Sequence, residues 1–147
     1  MPVKREHIMV AVIDGQGGGV GRALVEQIKR TFPTLHVRAL GTNALATAAM
    51  LKGGADDGAT GENAIVHNAG QMQVLLGPMA ILVANGLLGE ITPQMAAAVG
   101  GSGALKILVP SQRCNIRLAG VAPQPMQVAQ SMASSASCLG MRMALAS

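Results

Sequence analysis

Ile8-Met9-Val10-Ala11-Val12-Ile13 runs directly into Asp14-Gly15-Gln16-Gly17-Gly18-Gly19-Val20-Gly21. A continuous apolar run of this length, without alternation, marks a strand buried on both faces, as in a parallel sheet. The residues after the glycines, 22–30, read as a helix: Val20, Leu24 and Ile28 fall on one face, with Ala23 and Val25 beside them. Pro33 ends it. Strand, glycine loop, helix is the opening of a βαβ unit.

The pattern repeats outward from that unit. Residues 35–40 alternate into a second strand. Gly41-Thr42-Asn43 supplies a turn and an N-cap, and residues 44–52 form a helix of small residues stopped by Gly53-Gly54. Residues 55–59 read as a short third strand, and Thr60-Gly61-Glu62-Asn63 opens a helix through Ala69. Val74-Leu75-Leu76 is the next strand, 78–88 a helix with Pro78 in its first turn, and Thr92-Pro93 caps a helix through Val99. Residues 105–109 are a further buried strand closed by Pro110; 116–120 read as an edge strand, and 125–147 as a helix that frays at 131–137. Alternating strands and helices give right-handed crossovers. The expectation is a single Rossmann-like domain over residues 1–147, a three-layer α/β/α sandwich with a mainly parallel sheet of five or six strands. The tail from about 125 is the least determined part. Ligands of such sheets sit outside the carboxyl ends of the strands.

The glycines fit G-x-x-x-G-x-G through Gly15, Gly19 and Gly21, which resembles the glycine motif of short-chain dehydrogenases. Glycines let a backbone approach a phosphate, and the first-turn N–H groups from Val20 to Ala23 point at it with the helix dipole behind them. Gly15, Gly17, Gly18, Gly19 and Gly21 are therefore the candidate phosphate seat, with Arg22 adding a charged contact. Five glycines in seven residues exceed what a tight turn requires. NAD(P) or another nucleotide is the cofactor class this pattern suits. Two features depart from a standard NAD enzyme. The second strand ends in Leu40-Gly41-Thr42-Asn43, with no carboxylate for a ribose, so Thr42 and Asn43, with Thr60 and Glu62, are the candidates around the rest of the ligand. His67-Asn68-Ala69-Gly70 is similar to a second short-chain dehydrogenase motif, but those enzymes need a tyrosine and this chain has none; a short-chain reductase is excluded.

Charged side chains make up 12% of the 147 residues, and seven are acidic. Asp14, Glu62 and Glu90 each neighbour a glycine at a predicted strand end or loop. Two readings stand for them. They meet at one sheet edge, hold a metal ion and act as acid and base on a phosphorylated substrate; or each serves locally, as a first-turn charge, beside the Thr92 cap, or as an acceptor ordering the glycine loop. His7, His36 and His67 have no metal-ligand spacing, so no metal site is expected from them. Cys114 lies near Arg113 and Arg117, which lower a thiol pKa, but no base accompanies it.

Composition narrows the partners. One aromatic residue, Phe32, excludes nucleic-acid binding by stacking. The net charge of +4 is scattered, with no basic run longer than two, so nucleic acid is not expected as a partner. The apolar stretch 74–88 is shorter than a membrane span, and 8–13 is too short for a signal peptide; the expected location is the cytoplasm. So few charges leave apolar surface to cover, which points to a homodimer or higher homo-oligomer through the uncharged helix 78–88. Ten methionines take the place of aromatics as core filler.

Five strings together resemble a small bacterial family catalogued as a domain of unknown function: Ile13-Asp14-Gly15-Gln16-Gly17-Gly18-Gly19, Leu40-Gly41-Thr42-Asn43-Ala44, Ala59-Thr60-Gly61-Glu62-Asn63-Ala64, Gly89-Glu90-Ile91-Thr92-Pro93 and Lys106-Ile107-Leu108-Val109-Pro110. The resemblance implies a compact cytoplasmic Rossmann-like protein and supplies no activity. Three functions follow from the residues: a protein binding a nucleotide or other small phosphorylated ligand, a metal-assisted enzyme using Asp14, Glu62 and Glu90, or a ligand-free interaction scaffold.

Overall fold

A computed structural model describes residues 8–110 and 115–120. The elements alternate: β1 (Val10–Asp14), α1 (Gly19–Thr31), β2 (Val37–Gly41), α2 (Ala44–Lys52), β3 (Asp57–Thr60), α3 (Glu62–Ala69), β4 (Val74–Pro78), a 3₁₀ turn (Met79–Leu82), α4 (Pro93–Gly100) and β5 (Leu105–Val109). All four strand pairings are parallel, in the order β3-β2-β1-β4-β5. That is the start of the Rossmann strand order, with its topological switch point between β1 and β4.

Two apolar layers follow from the period-2 alternation of the central strand. Val10 and Val12 of β1 face Leu24, Val25 and Ile28 of α1 and Met50 of α2. Ala11 and Ile13 face Ile65 and Ala69 of α3 and Met95 and Val99 of α4. Every residue of β1 is buried, as its unalternating sequence requires. The predicted stripe of α1 buries Leu24 and Ile28, with Val20 packed against the layer, and Lys29 and Arg30 sit favourably in its last turn. Asn43 caps α2 by accepting from the Ala46 N–H at 2.9 Å, and Thr92 caps α4 by accepting from Met95 N–H at 3.1 Å.

Two expected elements are corrected. Residues 78–88 are not a helix. Strand β4 runs to Pro78, a single 3₁₀ turn follows, and the chain then folds into a closed loop. Gly86 fits tightly there, since a β-carbon on it would lie 2.7 Å from the Ala80 carbonyl oxygen. The loop pairs its own backbone, Asn85 N–H to Ile91 O at 2.7 Å and Ile91 N–H to Gly86 O at 3.1 Å. Asn85-Gly86 and Gly89 break the helical ladder, and an apolar run alone does not separate strand from helix. The helical face expected to carry an oligomer interface is therefore absent. Residues 116–120 form no strand either; Arg117 and Leu118 are exposed and Gly120 turns left-handed (φ 80°). Cys114, Arg113 and the helix expected over 125–147 lie outside the described residues. Among the described residues no helix is long and apolar enough to cross a membrane.

Candidate functional site

The end of β1 is fastened to the start of α1 by one carboxylate. Asp14 Oδ1 accepts from Gly15 N–H at 2.8 Å and Oδ2 from Gly21 N–H at 2.6 Å. The side chain is 4% exposed. Burial pushes its pKa up, and the Glu90 charge adds to that; the two backbone hydrogen bonds only partly offset the rise. Asp14 thus orders the loop, one of the two roles its position offers.

The five glycines divide into two groups. Gly15, Gly18 and Gly21 are required by packing or backbone. A β-carbon on Gly15 would sit 2.7 Å from Thr42 Oγ1; on Gly21, 2.7 Å from Asp14 Cβ; on Gly18, 2.8 Å from the Ala46 backbone, at a φ of 74°. Gly17 and Gly19 have neither reason. Their φ angles are not positive, and an added β-carbon would meet nothing within 4 Å. Both line an open cavity of about 710 Å³ at the carboxyl ends of β1, β4 and β5. Gly18, the N-cap of α1, makes no side-chain cap, and among the described residues the N–H groups of Gly17, Gly19 and Val20 have no acceptor. Asp14 and Gln16 line the loop side of the cavity as well, and beyond the loop the walls are apolar: Pro78, Ala80, Leu87, Leu88, Val109 and Pro110.

The other candidates are placed as follows. Arg22 does not reach over the loop; its Nε pairs with Glu26 Oε1 at 2.9 Å along the surface of α1. Thr42 and Asn43 stand at the end of β2, both hydrogen-bonded to Glu90 Oε1, at 2.8 and 2.6 Å. Asn43 Nδ2 also donates to Gln16 O at 3.0 Å, and Gln16 N–H donates to Glu90 Oε2 at 3.0 Å. Glu90 therefore bridges the glycine loop and the β2–α2 turn. Burial raises its pKa, but the bonds from Asn43, Thr42 and Gln16 N–H outweigh burial and hold it below the usual carboxylate range. Thr60 Oγ1 pairs with Thr47 Oγ1 at 2.7 Å, away from the cavity, and Glu62 Oε1 accepts from Thr92 Oγ1 at 2.6 Å.

The three carboxylates do not form one centre. Asp14 and Glu90 are neighbours, but each is committed to loop donors, and Glu62 is turned to the cap of α4. Among the described residues no three His, Cys, Asp or Glu side chains are grouped to hold a metal ion. The sequence reading missed Gln16, Leu87 and the bridging role of Glu90. Pro78 and Val109, which end β4 and β5, and Pro110 after them were not read as site residues, although they stand at the sheet edge where ligands sit.

A family model described as a domain of unknown function, DUF3842, matches residues 9–138. No curated protein matches the chain. Among solved structures, the chain is similar to a dodecameric FMN-dependent UbiX-like decarboxylase from Escherichia coli O157:H7, at 17% identity and a TM-score of 0.44, over 87% of this chain and 74% of that one.

Proposed function

The chain belongs to the DUF3842 family of unknown function, and from that premise we propose that it binds a nucleotide or related phosphorylated small molecule, with the phosphate on the glycine loop. The observation that carries this reading is the pair Gly17 and Gly19. The fold needs no glycine at either position, yet both lie bare on a cavity at the switch point. Absence of a side chain there leaves backbone N–H groups accessible, and a helix N-terminus favours an anion on them. Asp14 supports the seat by holding the first turn of α1 against β1. Its carboxylate is engaged by two N–H donors, which leaves the neighbouring donors for a ligand.

Thermal unfolding against NAD(H), NADP(H), ATP, GMP, FMN and S-adenosylmethionine tests the reading. A ligand at 100 times its Kd adds about 2.7 kcal/mol, a shift of several degrees in a domain of this size. Gly19→Val is expected to fold normally and lose the shift. A shift that survives the substitution would place the ligand elsewhere.

A further inference from the structure

The cavity is open toward β4 and β5 but closed toward β2, and that asymmetry selects among phosphorylated ligands. We infer that the site takes a phosphorylated ligand with a mononucleotide-sized, weakly polar body, and that segment 85–90 keeps dinucleotides out. The inference rests on the glycine loop being the phosphate seat.

In a sheet of this strand order a dinucleotide spans the carboxyl edge, its adenosine half over the second strand and its ribose held by an acidic residue at that strand's end. Here the chain itself covers that end. Glu90 sits against it, engaged by Thr42 Oγ1, Asn43 Nδ2 and Gln16 N–H. Leu87 closes the gap between Gly15 and Thr42: a β-carbon on Gly15 would lie 2.8 Å from Leu87 Cδ1 and 2.7 Å from Thr42 Oγ1. Ribose hydroxyls would find a carboxylate already engaged by three donors and a crevice already filled.

Toward β4 and β5 the walls are Pro78, Ala80, Leu88, Val109 and Pro110. They carry no charge, so the body of the ligand is recognised by shape and apolar contact. The volume, about 710 Å³, lies within the roughly 300–1,000 Å³ usual for small-molecule sites.

The excluding segment is held in a costly conformation. Asn85, Leu87 and Leu88 have φ of 64°, 54° and 56°, and Gly89 follows at 91°. Left-handed backbone is strained for a leucine, and such strain clusters at ligand clamps. Leu88 is 96% exposed, yet it lines the cavity rim.

Calorimetric titration of the full chain with AMP, FMN and NAD⁺, on the wild type and on Gly19→Val, tests the inference. The expected result is that AMP or FMN binds at least tenfold more tightly than NAD⁺ and that Gly19→Val removes the binding. If NAD⁺ binds as tightly as the better mononucleotide, and Gly19→Val removes it, the size limit is wrong while the phosphate seat stands. If no probe binds, or if Gly19→Val leaves binding unchanged, the seat itself is wrong and the inference falls with it.

Discussion

Asn43 Nδ2 donates a 2.6 Å hydrogen bond to Glu90 Oε1 across 47 residues of sequence. Through it the turn after β2 and the loop before α4 become one unit, and Gln16 N–H ties the glycine loop to the same carboxylate. Removing the charge while keeping the shape should loosen all three. Glu90→Gln is expected to cost about 1–2 kcal/mol, since bonds to a charged acceptor exceed those to a neutral one. Chemical denaturation at neutral pH measures it.

The same carboxylate sets a pH dependence. Glu90 is held below the usual range by its donors, and Asp57 is held below it by Arg38 and His36. A group with a lowered folded pKa contributes stability above its unfolded value and loses it as pH falls through its folded value. Asp14, raised by burial, works in the opposite sense: its contribution is present at low pH and disappears as pH rises through its raised value. The Tm of Glu90→Gln should therefore fall less steeply than that of the wild type between about pH 5 and about pH 3. Parallel curves for the two proteins would show that Glu90 does not titrate in this way.

Glycine substitutions should split into two classes. Gly17→Ala and Gly19→Ala place a methyl in open space. Gly19, within α1, should gain about 0.4–1 kcal/mol from reduced unfolded-state entropy. Gly21→Ala puts its methyl 2.7 Å from Asp14 Cβ and 2.6 Å from Met50 Sδ, and overpacking of this kind costs about 1–3 kcal/mol. Urea unfolding of the three variants gives the order directly. Equal losses at all three positions would contradict the division.

Asp14→Ala should be destabilising without any ligand. It strands the Gly15 and Gly21 N–H groups, which now bond to the carboxylate, at about 1–3 kcal/mol for a buried donor left unpaired. Amide hydrogen exchange at Gly21 and Arg22 should accelerate in the variant. Unchanged exchange there would mean that the first turn of α1 is held by other contacts.

Most of the fold was legible because its signals are local. The unalternating run through Val10–Asp14, the stripe of Leu24 and Ile28, and the Asn43 and Thr92 caps all state their structure within a few residues. Residues 78–88 misled because an apolar run carries no period, and the closure of the Asn85–Ile91 loop depends on backbone bonds that composition does not reveal. The glycine loop stands out in the sequence, but the division of its glycines does not, since it depends on Thr42, Ala46 and Met50 brought from other elements. Glu90 was singled out by the scarcity of carboxylates, whereas its partners lie far away in sequence. Thr60 and Glu62 looked like ligand residues because they end a strand and begin a helix; their hydroxyl and carboxylate are engaged instead by Thr47 and Thr92.

The unequal crowding of the loop glycines also bears on how this sequence can change over generations. Lineages kept only for a folded chain would be free to drift at Gly17 and Gly19, while Gly15, Gly18 and Gly21 stayed fixed by their neighbours. If the proposed ligand seat is right, lineages selected for binding would hold all five. The two positions with nothing beside them would then record whether a descendant had kept its task.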